Sequence, residues 1–201
     1  MTNSKLICGI GINDKSRPAK VNDKKTKEYA LWYNMIQRCY YEKLHTRRST
    51  YVGCAVSENF KNYSYFYDWC QKQIGFYCID GNGRNWNLDK DIVIRNNKNY
   101  SEDTCVFVPF EVNLFFVDNK IVRGENPIGV YFYKRTGKYK ATCAVNGKVK
   151  HLGFFRTPEE AHAVYKQFKE NLCKELANKW RGKIDERVYN AMMVWSVGYQ
   201  K

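Results

Sequence analysis

Hydrophobic positions along this chain recur with two different periods. From Glu28 onward, Tyr29, Trp32, Met35 or Ile36, and Cys39 or Tyr40 return every three or four residues, which predicts an amphipathic helix. Phe60, Tyr63, Phe66, Tyr67 and Cys70 or Trp69 predict another. Its aromatic crowding reads as core, with a base-stacking platform as the less economical alternative. Beyond Gly129 the period drops to two. Val130 and Phe132 alternate with Tyr131 and Tyr133, and Ala141, Cys143 and Val145 alternate with Lys140, Thr142 and Ala144. Leu152 and Phe154 or Phe155 close the third strand. Arg135-Thr136-Gly137 and Asn146-Gly147 supply the turns, so the segment predicts a three-stranded antiparallel sheet. A helix follows, with Thr157 as N-cap, Pro158 at the first position and Glu160 completing a capping box. Its stripe of Ala161, Tyr165, Phe168, Leu172 and Leu176 is set to cover one sheet face. Gly182 ends that helix, and 184–199 predict a last one, with Asp185 as cap and Val188, Met192 and Trp195 on one side. That side either packs on the chain or forms a homodimer contact.

The remaining stretches are read by contrast. Leu6 to Ile12 is apolar and predicts a short strand, with no cleavage site to make it a secretory leader. Residues 13–27 are polar and predict an exposed basic arm, and Arg47-Arg48-Ser49-Thr50 predicts a basic turn. Gly81-Asn82-Gly83 is a turn that lacks the third glycine of a dinucleotide fingerprint. An apolar run from Trp86 to Ile92, an Asn-rich loop, a second apolar run at 105–108 and a helix near Pro109 predict a hairpin followed by a helix. With Glu125-Asn126-Pro127 as connector, the chain divides into 1–120 and 121–201, and the fold class is α+β.

Charge changes the picture. Lys and Arg number 34 against 20 Asp and Glu, a net of +14, which is the footprint of a polyanion partner. Residues 121–201 hold sixteen of those cations and seven of the acids. Between Val130 and His151 all six charged residues are positive. With the helix on one face, Tyr131, Tyr133, Lys140, Thr142 and either Lys150 or His151 form an open surface, flanked by Lys134, Arg135, Lys138 and Lys148. A small curved sheet of this kind can enter the major groove of double-stranded DNA. One conflict is visible: strict alternation with Leu152 inward turns Lys148 and Lys150 toward the helix, unless a strand end or a bulge intervenes. Eight scattered cysteines without a C-x-x-C pair read as reduced buried thiols, not a zinc site. No apolar run approaches the roughly 18 to 20 residues of a membrane span, and the expected location is cytoplasmic.

Two resemblances can be named on these residues. Trp32 and Met35 with Arg38-Cys39-Tyr40, Leu88-Asp89-Lys90-Asp91, Asn99-Tyr100-Ser101 and Thr104-Cys105 resemble phage-encoded proteins related to His-Asn-His (HNH) homing endonucleases, over roughly residues 29–115. That resemblance implies a ββα-metal unit in which a first-strand histidine is general base and a divalent metal stabilises the leaving oxygen. Lys90 stands at the histidine position and Thr104 at that of the middle asparagine. A lysine at its ordinary pKa is protonated and takes no proton from water. Asp89 and Asp91 remain as candidate catalytic residues and as ligands for magnesium.

The second resemblance rests on Gly129-Val130, Gly137-Lys138-Tyr139, Leu152-Gly153-Phe154, Thr157, Glu159-Glu160-Ala161 and Tyr165. Over about 128–170 the chain is similar to the Apetala-two/ethylene-response-factor DNA-binding domain. The resemblance implies major-groove docking, with base-facing positions at Tyr131, Tyr133, Arg135, Thr142, Ala144, Val149 and His151. Tyr131 and Tyr133 replace arginines and His151 a tryptophan, so anchoring is expected to exceed selection. Two readings stay open: a DNA-binding endonuclease in an infected bacterial host, or a regulator or inhibitor that keeps the scaffold without the chemistry.

Overall fold

The computed structural model describes residues 6–117 and 126–198. It is mixed α and β, with six α-helices and several small sheets among the described residues. Contacts divide the chain into two units. The first runs to Asn113 and takes in Gly182–Val188; the second comprises Leu114–Arg181 and the residues from Tyr189 on. Of the connector expected at Glu125-Asn126-Pro127, Glu125 lies outside the described residues.

The first unit is built on aromatic side chains. Helix α1 (Lys27–Tyr40) starts at Thr26, whose hydroxyl accepts from Tyr29 N, and buries Trp32, Met35, Ile36 and Cys39. After the single turn α2 (Glu42–His45), helix α3 (Tyr63–Gln71) buries Tyr63, Phe66, Trp69 and Cys70. The Trp32 indole donates to Phe60 O at 2.8 Å, so its one polar atom is satisfied within the core. Phe60, Tyr63, Phe66 and Trp69 are therefore core, while Tyr67 is half-buried and Tyr65 exposed.

Two stretches differ from expectation. Leu6 to Ile12 is a tight turn, closed by an Ile7–Gly11 bridge through Cys8 and Gly9 at positive φ. The arm at 13–27 contains a hairpin of β1 (Lys20–Val21) and β2 (Lys24–Lys25). Asn22 and Asp23, both at positive φ, supply a turn whose twist matches paired strands.

The expected hairpin and helix are present. β4 (Asn87–Asp89) pairs antiparallel with β6 (Val106–Val108), which leads into α4 (Phe110–Phe115). Within the intervening loop, β5 (Asn99–Tyr100) pairs in parallel with β3 (Ala55–Val56).

In the second unit, β7 (Val130–Tyr133), β8 (Lys138–Val145) and β9 (Lys148–Phe155) form the three-stranded antiparallel sheet in the order β7-β8-β9. Helix α5 (Pro158–Lys179) covers one face. Its capping box is complete: Thr157 Oγ accepts from Glu160 N at 3.2 Å, and the Glu160 carboxylate accepts from Thr157 N at 3.3 Å. Val130, Ala141 and Cys143 pack against Ala161 and Tyr165, with Leu152, Phe155 and Phe168 at the margin. Helix α6 (Glu186–Met193) is shorter than its hydrophobic pattern suggested, and the Tyr199 end of that expectation lies outside the described residues. Val188 and Met192 are fully buried and Trp195 packs on Phe115 and Phe116. Of the three side chains on that side, Val188 and Met192 are used in packing within the chain and Trp195 is half-buried. No helix among the described residues is long and apolar enough to cross a membrane.

Candidate nucleic-acid interface and hairpin site

Register decides which sheet residues face away from α5. Tyr131 pairs with Lys140 and Tyr133 with Lys138, while Lys140 pairs on its other side with Phe154. All five share the face opposite the helix, because their neighbours Val130, Ala141 and Phe155 pack toward α5. Between Ala141 and Thr142 the pairing with β9 slips by one residue: Ala141 faces Gly153 and Thr142 faces His151, leaving Leu152 extra. Gly153 lies at φ +145° in this bulge. The slip lets Leu152 pack inward and puts His151 outward beside Thr142.

The alternation expected from Leu152 holds for two lysines and takes them off the open face. Lys150 and Lys148, opposite Cys143 and Val145, belong to the helix side of the sheet. The bulge at Leu152 does not relieve the alternation conflict, because the pairing from Lys148 to His151 stays regular. Lys150 meets the demand by holding its ammonium 4.7 Å from the centroid of the Phe168 ring while staying exposed. Of the ten interface residues named from the sequence, Tyr131, Tyr133, Lys138, Lys140, Thr142 and His151 share the open face. Lys134 and Arg135 rim it from the β7–β8 turn.

One residue of the face was missed. Phe154, on the edge strand β9, is 42% exposed, with its ring centroid 5.4 Å from that of Tyr133 and 4.8 Å from that of His151. Lys140 Nζ lies 5.6 Å from the Tyr131 ring and 5.8 Å from the Phe154 ring. Parity counted from Lys140 rather than from Leu152 would have found it.

At the end of the β4–β6 hairpin, Lys90 is 92% buried, and its ammonium donates to Asp91 Oδ2 at 2.8 Å and to Asn97 O at 2.9 Å. Asn97 donates in turn to Lys90 O and Asn99 O and accepts from Asn99 N. The buried Thr104 hydroxyl donates to Asn99 O at 2.8 Å and accepts from Ser101 N at 3.2 Å. Lys90 and Thr104 thus hold the loop together.

Asp89 and Asp91 do come together. One Asp89 oxygen accepts from the backbone N–H groups of Asp91 and Ile92, each at 2.8 Å. Burial pushes the Asp89 carboxyl up to about 6, with the Asp91 charge acting in the same direction and the two backbone donors opposing it. A magnesium ion takes about six oxygens in near-octahedral geometry. Here one carboxylate caps backbone amides, the other is held by an ammonium, and no cluster of three or more His, Cys, Asp or Glu suited to a metal occurs among the described residues. Both carboxylates thus already have partners within the protein. His45, the single histidine of the first unit, has its Nε2 2.8 Å from Arg38 O.

All eight cysteines are free thiols. Neither a family model, nor a curated protein, nor a solved structure matches this chain.

Proposed function

We propose that this chain is a nucleic-acid-binding protein of the HNH homing endonuclease lineage that grips double-stranded DNA through the second-unit sheet. One observation carries the reading: the face of β7-β8-β9 away from α5 is open, and its charges are Lys134, Arg135, Lys138 and Lys140, with no acid between Val130 and His151. Such a surface attracts a phosphate backbone and releases its counterions. The first unit then acts as a scaffold, because the groups at the Lys90 and Thr104 positions are engaged in loop hydrogen bonds. The setting that goes with this lineage is the cytoplasm of an infected bacterium.

The test is a titration of labelled duplex DNA by fluorescence anisotropy. About four phosphate contacts predict a fall in affinity of about a hundredfold between about 50 and 200 mM salt. Replacing Lys134, Arg135 and Lys138 together by Ala is expected to remove most of that dependence. Affinity indifferent to salt, or unchanged in the triple variant, refutes the assignment.

A second reading, phosphodiester hydrolysis at the hairpin, is favoured by Asp89 alone. A carboxylate with a pKa of about 6 is nearer to a working proton acceptor than an ordinary aspartate. Incubating long duplex DNA with magnesium or manganese, alongside Asp89→Ala and Asp91→Ala, decides it. Cleavage lost in both variants supports hydrolysis here, and cleavage that survives both removes these carboxylates from it.

A further inference from the structure

We infer that the open sheet face is a stacking platform for the unpaired bases of single-stranded DNA, an inference that rests on the reading of this sheet as the nucleic-acid interface. Reading base edges in a duplex calls for side chains that reach and hydrogen-bond, chiefly Arg, Lys, Asn and Gln. This face has mostly the opposite equipment. Tyr131 is 41% exposed, Phe154 is 42% exposed, and the rings of Tyr133 and His151 both lie against that of Phe154. Val149, the most exposed apolar side chain of the sheet at 75%, and Ala144 beside it offer no donor or acceptor to a base edge.

Rings left in water on an open sheet lose apolar burial unless something covers them. What covers them must also suit the cations among them. Lys140 lies between the Tyr131 and Phe154 rings, Arg135 has its guanidinium 5.9 Å from the Tyr133 ring, and Lys134 and Lys138 rim the same end. An apolar protein or lipid surface would strand these charges. A strand of unpaired DNA answers both demands, since each base has a π-face to lay on a ring and each linking phosphate an anion for a neighbouring cation.

The sheet is built to keep the rings on the outside. Gly129, at φ +80°, comes so close to Tyr165 that a Cβ would lie 2.1 Å from the ring, which seats the start of β7 against α5. That seating sets the parity by which Val130 faces in and Tyr131 and Tyr133 face out. The bulge at Leu152 then adds His151 to the outward set.

The experiment compares a mixed-sequence DNA single strand with the blunt duplex of the same sequence, measured by anisotropy on the full chain at one salt concentration. Phe154→Leu and Tyr133→Leu are the variants, because both side chains lie away from the helix-side core. Far-ultraviolet circular dichroism and thermal melting check that they fold. The single strand is expected to bind more tightly than the duplex. Each variant is expected to weaken single-strand binding about tenfold or more and duplex binding by a distinctly smaller factor. 2-Aminopurine in the single strand is expected to be quenched by the wild-type protein and less so by Phe154→Leu. Equal loss on both DNAs, or no loss on the single strand, overturns the platform while leaving duplex binding in place. Absence of binding to either DNA overturns the interface reading and this inference with it.

Discussion

Gly129 and Gly147 both sit at positive φ, +80° and +75°, yet their surroundings predict different penalties. A Cβ at Gly147 meets nothing within 4 Å, whereas one at Gly129 would lie 2.1 Å from the Tyr165 ring. Gly147→Ala is expected to cost about 1 kcal/mol, the strain of a left-handed alanine alone. Gly129→Ala is expected to cost about 3 kcal/mol or more, because the ring and the strand must also part. Urea unfolding of the two variants side by side measures the difference, and equal midpoints would contradict the packing. Asp89 gives the second prediction at this scale. Its folded pKa of about 6 exceeds the ordinary value of 3.8, so the folded state binds the proton more tightly. That contribution to stability is fully present below about pH 4 and is lost as pH rises through about 6. Asp89→Asn keeps an oxygen for the amides of Asp91 and Ile92 while removing the charge. It is expected to stabilise the fold by about 1–2 kcal/mol above pH 7 and to do little near pH 4. Urea midpoints across that range check the sign. The sequence marked Asp89 as chemistry through its neighbours; its raised pKa came from burial, which no local pattern displays.

Helices were the elements most open to reading from sequence. α1, α3 and α5 follow from spacings of three and four, and α5 also announces its start with Thr157, Pro158 and Glu160. Thr157→Ala removes the acceptor for Glu160 N and is expected to cost about 1 kcal/mol, measured as a lower thermal midpoint. Glu160→Gln, which keeps a side-chain oxygen for the Thr157 amide, is expected to cost less. The loop between β4 and β6 was legible as a loop but not in its wiring. Asn97 satisfies Lys90 O, Asn99 O and Asn99 N at once, so Asn97→Ala is expected to cost about 2 kcal/mol and to raise hydrogen exchange in residues 90–99. The short pairings β1-β2 and β3-β5 escaped prediction, since two-residue strands carry no period. β9 was placed correctly and its alternation from Lys148 to Leu152 was legible, but the choice between Phe154 and Phe155 stayed open, because an inserted residue reverses every side chain beyond it.

For the molecule as a whole, the thiols offer a global check. Cys39, Cys54, Cys70, Cys105, Cys143 and Cys173 are buried, Cys8 is partly covered and Cys78 is exposed. Burial pushes the Cys39, Cys105 and Cys173 thiols up to about 12. A thiol reagent at neutral pH is therefore expected to modify Cys78 first, then Cys8, and to reach the rest only on unfolding, as followed by intact mass. Prompt modification of Cys70 or Cys105 would contradict the core of the first unit. Composition, period and capping were enough to establish an α+β chain with a strongly basic second half and a sheet covered by one long helix, because each is a local property written within a few residues. Which rings lie in water and which cations share their face was decided only in three dimensions. A bulge of one residue, a glycine pressed on a tyrosine and a lysine turned back onto Phe168 depend on strands that meet across the sheet, and those meetings leave no mark on a single stretch of sequence.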